Sequence, residues 1–248
     1  WWISQRPIEP NAKKTNNGVA APKNGIYYSF GVDPLDTGNA AVSSPSQLSK
    51  LGFSVFRKFN PMIDNEANDV FMYDDENGDL KCLNPEKMQT NRFVCTYLHR
   101  DESPDDGFQS VLKTAIYYGV PAFIEKNRAY IFNLMDKNYR NYLAFRPKET
   151  LSPNASQKAA LQRGIVATVY TGGLITNRLQ SYVYSWCELI DHIDILENFR
   201  KFTGSNLTDV DLTAACGYAL LQSDDLRFSV EAQNKAGVWS DSLFTYHK

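Results

Sequence analysis

The order in which hydrophobic periods change along the chain limits its fold more than any other feature. Short β-rich runs come first: Ile26 to Val32, ending in Asp33-Pro34, then Phe53 to Phe59, then Arg92 to Leu98. The proline stops the ladder just past the acid. Between these runs, residues 61–90 are irregular, with Val70–Tyr73 and Leu80–Leu83 reading as the arms of a hairpin around an acidic turn. Helical spacing then takes over. Phe108, Val111, Leu112, Ala115 and Ile116 share one face of a predicted helix over Asp105–Tyr118, opened by Ser103-Pro104. Val120 to Glu125 is a short apolar strand, Asn127–Lys137 a helix and Tyr142–Phe145 a further strand. Strands followed by strand–helix–strand–helix predict an α/β fold. Its sheet is mixed, antiparallel among the first strands and parallel among the later crossover strands, with helices on its flanks.

Downstream, residues 146–177 are polar, and Gly172-Gly173 reads as a turn. Helices are expected over Arg178–Ile190, Asp194–Phe202 and Asp209–Gln222. The last is the clearest, with Leu212, Ala215, Cys216, Ala219 and Leu220 on one face. Upstream, residues 1–24 are polar and carry Pro7, Pro10, Pro22 and the Asn16-Asn17-Gly18 turn signal, which reads as a linker or extended arm. The chain opens on Trp1-Trp2 and reads as a piece of a longer polypeptide, with residues 25–248 as its folded domain.

Several function classes are disfavoured or ruled out. The 248 residues contain no apolar run near the roughly 20 that a membrane span needs. Cys82, Cys95, Cys187 and Cys216 form no C-x-x-C pair and the three histidines are scattered, which argues against structural zinc. A chain of this size has no need of a disulfide framework, which favours a reducing cytoplasm. No G-x-x-x-x-G-K-[ST] loop is present, so the chain is no P-loop ATPase by itself. The net charge of −2 is low for a protein that lives on phosphates alone.

Three acids sit where chemistry gathers. Asp33 ends the first strand, Glu125 ends the strand after the first long helix, and Asp209 and Asp211 open the last helix. Functional groups of open α/β sheets collect at the carboxyl ends of strands. Converging carboxylates are hard oxygen donors suited to Mg²⁺ or Mn²⁺, and two such ions can serve phosphodiester cleavage. Arg100, Lys126, Arg128 and Arg178, with Lys158 and Arg163, are candidates for phosphate contacts.

These stretches resemble one family. Tyr28-Ser29-Phe30-Gly31-Val32-Asp33-Pro34 is similar to the first catalytic strand of the nuclease domain of phage large terminases, and Phe123-Ile124-Glu125-Lys126-Asn127 to its second acidic strand. Asn206 to Ala215 resembles its third motif, an acidic patch opening an Ala-rich helix, although Val210 separates two acids that are adjacent in many relatives. The resemblance spans roughly residues 26–222. It implies an RNase H-like fold and a two-metal endonuclease that cuts concatemeric viral DNA during genome packaging in the host cytoplasm. Asp33, Glu125 and Asp211 would be the catalytic metal ligands, with Asp209 as the other candidate for the third position. Double-stranded DNA, an upstream ATPase domain, the portal protein and the small terminase subunit are the implied partners. Two other readings stay open: another RNase H-like enzyme of the resolvase or transposase type, and a non-catalytic module that docks on the portal or another partner.

Overall fold

The computed structural model describes residues 1–16, 19–35, 49–60, 64, 71–74, 80–84, 87–151, 156, 159, 161–204 and 206–223. A five-stranded sheet organises them. Its strands, in chain order, are β1 (Trp2–Ile3), β4 (Tyr28–Asp33), β5 (Leu51–Arg57), β8 (Arg92–His99) and β9 (Ala122–Ile124), and they lie side by side as β1-β8-β5-β4-β9. Pairs β4–β5, β5–β8 and β1–β8 are antiparallel, and β9 runs parallel to β4. Isolated bridges carry the sheet one step further, from Ala122 to Leu143 and from Glu125 to Ile165. Two hairpins stand apart from it, β2 (Lys13–Asn16) with β3 (Val19–Pro22), and β6 (Phe71–Asp74) with β7 (Leu80–Leu83). The mixed α/β expectation holds, and the strand order is compatible with an RNase H-like fold.

The helices are α1 (Pro104–Tyr118), α2 (Ala129–Asn138), α3 (Val169–Trp186), α4 (Ile193–Lys201) and α5 (Asp211–Ser223). Helix α1 is the crossover from β8 to β9. The Ser103 hydroxyl accepts the Asp106 amide at 3.2 Å and Pro104 fills the first turn, which together start it. Gly119 ends it in the left-handed region, at φ 61°, and a side chain there would also press on the Ala12 carbonyl, 2.5 Å from an added Cβ.

Pleating divides the sheet into two faces. Tyr28, Phe30 and Val32 of β4, with Phe53 and Val55 of β5 and Ala122 and Ile124 of β9, pack under Val111, Leu112 and Ala115 of α1. The alternate residues meet the other layer, where Phe56, Phe93 and Phe123 join Ile175 and Leu179 of α3, Ile195 of α4 and most of α5. Every residue of α5 from Leu212 to Gln222 is buried, as suits a helix that is apolar all round and lies between a sheet and another helix.

Some elements depart from the sequence expectation. Helix α3 begins at Val169, nine residues ahead of the predicted start, and runs through Gly172-Gly173. The reason is upstream: the Thr168 and Thr171 side chains form a reciprocal cap that nucleates the helix early. The predicted strand Tyr142–Phe145 is reduced to bridges at Leu143 and Phe145, after a 3-10 turn over Arg140–Tyr142. Within the segment expected as a linker or arm, the described residues 1–16 and 19–24 make contacts with the sheet and with α1. β1 pairs with the edge of β8, the Trp1 indole donates to Thr114 Oγ1 at 3.0 Å, and the Asn11 amide donates to the Tyr117 carbonyl at 2.9 Å. The turns at 17–18 and 75–79 and the tail from residue 224 fall outside the described residues. Among the described residues no helix is long and apolar enough to cross a membrane.

Candidate functional site

Parallel pairing of β4 and β9 sets the first two acids side by side. Val32 is in register with Ile124, so the next residues, Asp33 and Glu125, stand side by side at the carboxyl end of the two strands. The Glu125 amide donates to the Val32 carbonyl at 3.3 Å. Both are buried, Asp33 to 2% exposure and Glu125 to 8%. By the alternation of the pleat, Asp33 shares a face with Gly31 and Glu125 with Phe123, the face that meets α5.

Helix α5 brings the third acid, and glycines let it come close. A Cβ on Gly31 would fall on the Ala215 carbonyl oxygen and the Ala219 amide nitrogen. One on Gly52 would lie 2.6 Å from the carbonyl carbon and oxygen of Asp211. The helix backbone therefore rests directly on β4 and β5, with Asp211, its first residue, over Gly52 of β5, the residue paired with Asp33. The loop before β5 fixes that carboxylate: the Lys50 amide donates to Oδ2 at 2.9 Å and the Ser49 hydroxyl to Oδ1 at 3.4 Å. Two turns along α5, Tyr218 donates its hydroxyl to Glu125 Oε2 at 2.8 Å and sets its ring edge-on to Phe123.

One guanidinium joins the cluster. Arg128 Nη1 lies 3.4 Å from Asp33 Oδ1 and 3.6 Å from Asp211 Oδ1, and donates to Ser49 Oγ at 2.8 Å and to the Pro34 carbonyl at 3.1 Å. Burial pushes the Asp33 carboxyl well above the usual carboxylate range. Arg128 pulls it back, while Asp211 and Glu125 push it further up. Burial also raises Asp211, against the opposing pull of the Lys50 amide and the Arg128 charge. Tyr218 is raised well above the ordinary phenol value by burial and by the neighbouring charges of Asp33 and Glu125, so it stays a donor.

The donor set suits a hard divalent cation. Three carboxylates, hard oxygen donors, converge in a poorly solvated place with the Arg128 guanidinium against two of them. As the side chains are oriented, no three His, Cys, Asp or Glu among the described residues form a ready coordination group, and Arg128 Nη1 fills the space between Asp33 and Asp211.

The remaining candidates are spread more widely. Arg100 donates to the Ser49 carbonyl at 2.6 Å and so borders the cluster. Lys126 follows Glu125, with its ammonium 5.0 Å from the Phe132 ring centre. Arg178 pairs with Glu149 at 3.0 Å and lines a cleft of about 410 Å³ with Phe56, Lys58, Tyr182 and Leu220. Leu220 is nine residues along α5 from Asp211, roughly 13 Å by helical rise. Asp209 is exposed in the 3-10 turn Leu207–Asp209, two residues ahead of Asp211. Lys158 lies outside the described residues.

Sequence reasoning missed Ser49, Lys50 and Tyr218. Tyr218 left a signal, because seven residues return a helix to the same face and Tyr218 is seven after Asp211. Ser49 and Lys50 left none, since their role rests on loop geometry. No protein-family model and no curated protein matches the chain.

Proposed function

We propose that this chain is a divalent-metal-dependent endonuclease that hydrolyses DNA phosphodiester bonds, with Asp33, Glu125 and Asp211 as its metal-holding carboxylates. The observation that carries the reading is the convergence of these acids from two parallel strand ends and one helix start, with the Arg128 guanidinium against two of them. Mg²⁺ or Mn²⁺ held there would supply an activated water and charge stabilisation for the leaving oxygen.

The chain's own groups do the positioning. The Lys50 amide and Ser49 hydroxyl fix the rotamer of Asp211. The Tyr218 hydroxyl fixes Glu125 and leaves one of its oxygens unclaimed by that bond. Burial of Asp33 excludes water from the inner side of the site and strengthens every charge interaction within it. Arg100, Lys126 and Arg128, on or beside the cluster, are the groups that would meet the phosphate backbone. The order of the three motifs supports the narrower reading of a phage terminase nuclease. In that reading the substrate is concatemeric viral DNA, the site of action is the host cytoplasm, and the partners are an ATPase domain of the same polypeptide, the portal protein and the small terminase subunit.

The test is nicking of supercoiled plasmid in Mn²⁺, beside a chelator control and Asp33→Asn. Nicking that needs the metal and is lost in the variant supports the reading. Absence of metal-dependent nicking at high protein concentration overturns it.

A further inference from the structure

Arg128 reaches the same two carboxylates that a divalent cation would take. It donates to two neutral oxygens, Ser49 Oγ at 2.8 Å and the Pro34 carbonyl at 3.1 Å. Its distances to Asp33 and Asp211, 3.4 and 3.6 Å, are long for charge-assisted hydrogen bonds, which settle near 2.7–2.9 Å. The guanidinium is thus anchored by Ser49 and Pro34 beside both carboxylates and touches each of them. Its side chain keeps 20% exposure where that of Asp33 keeps 3%, so it has a way out to the surface and the acid does not.

We propose that Arg128 is a counter-ion built into the site, which a divalent cation displaces from between Asp33 and Asp211 and which then turns to a DNA phosphate. The inference rests on the metal-dependent nuclease reading. Two charges of like sign cannot share one pair of carboxylate oxygens without large repulsion. Buried carboxylates also need a partner before any metal arrives, since unpaired burial is costly. A planar guanidinium suits both duties, because it pairs with carboxylate and with phosphate. Arg128 sits at the N-cap position of α2, three residues after Glu125, and its side chain makes no capping bond there, so a side-chain rotation costs the helix no cap. Arg100, on the Ser49 carbonyl, sets a second guanidinium beside the position from which Arg128 departs.

The test is calorimetric titration of Mn²⁺ into the full chain as wild type, Arg128→Gln and Arg128→Lys. Removing a competing cation is expected to tighten Mn²⁺ binding about tenfold in Arg128→Gln, with Arg128→Lys in between. In parallel, fluorescence anisotropy with a short duplex, using Ca²⁺ as the cation, should show a metal-induced gain in DNA affinity that shrinks in Arg128→Gln. Wild-type Mn²⁺ binding that is unchanged or weakened in both variants overturns the counter-ion role and leaves the nuclease reading standing. No Mn²⁺ uptake by the wild type overturns both. Arg128→Lys keeps the charge and guards against an Arg128→Gln chain that does not fold.

Discussion

The Ala215 carbonyl oxygen occupies the place that a Cβ on Gly31 would take, so β4 and α5 meet backbone to backbone. That contact sets how near Asp211 comes to Asp33, two residues beyond Gly31. Gly31→Ala is therefore expected to destabilise the fold by about 3 kcal/mol, the upper range for overpacking, since neither partner is a flexible side chain. It should also lower nuclease activity at temperatures where the variant is fully folded, because α5 has to lift. Gly172→Ala is the control. An added Cβ there meets nothing within 4 Å, and replacing a glycine in the first turn of α3 should raise stability by up to about 1 kcal/mol. Denaturant unfolding of both variants checks the pair.

Metal-free stability should depend on pH through Asp33. Its carboxyl is raised in the folded chain, so its contribution is whole below the unfolded value of about 3.9 and is lost as pH rises through the folded value. Asp33→Asn stays neutral throughout. Wild type and variant should thus be similar in stability near the unfolded carboxylate value, with the variant gaining as pH climbs towards neutrality. Asp211 is raised too and adds in the same sense. Unfolding midpoints across a pH series in chelator measure this. A wild type more stable than Asp33→Asn at neutral pH contradicts it.

Tyr218→Phe removes one hydrogen bond from a buried carboxylate. The loss should be about 1.5–3 kcal/mol of stability, the range for bonds to charged groups. Turnover should fall without vanishing, because Glu125 loses its orientation and not its oxygens. Kinetics with saturating Mn²⁺ separate this from Glu125→Gln, which should abolish nicking.

The two acids near α5 should part company. Asp211→Asn is expected to remove nicking, and Asp209→Asn to leave its rate within about twofold, as exposed substitutions away from a site usually do. Plasmid cleavage by the two variants, side by side, decides it.

Local signals made the frame of this fold legible. Apolar runs that end in an acid marked β4 and β9, and the 3.6-residue spacing of Phe108, Val111, Leu112 and Ala115 marked the crossover between them. Parallel pairing of those strands then brings Asp33 beside Glu125. The third acid was harder, because Asp209 and Asp211 both fit a helix start. A 3-10 turn ending at Asp209 separates them, and no residue pattern announces such a turn. Helix α3 was misplaced because Gly172-Gly173 outweighed a Thr168–Thr171 cap whose pairing is visible only in three dimensions. The pairing of β1 with β8 joins residues more than ninety positions apart, Trp2 with Thr96 and Ile3 with Cys95. Arg128 was readable as a phosphate contact, but its place between two carboxylates depends on a loop and a rotamer.

The most direct test of the central claim is a crystal of the wild-type chain soaked in Mn²⁺, with anomalous density measured at the manganese edge. A peak is expected within coordination distance of Asp33 and at least one of Glu125 and Asp211, with Arg128 moved away from Asp33 and Asp211. Density absent from these carboxylates at saturating Mn²⁺, with Arg128 still bridging Asp33 and Asp211, would contradict it.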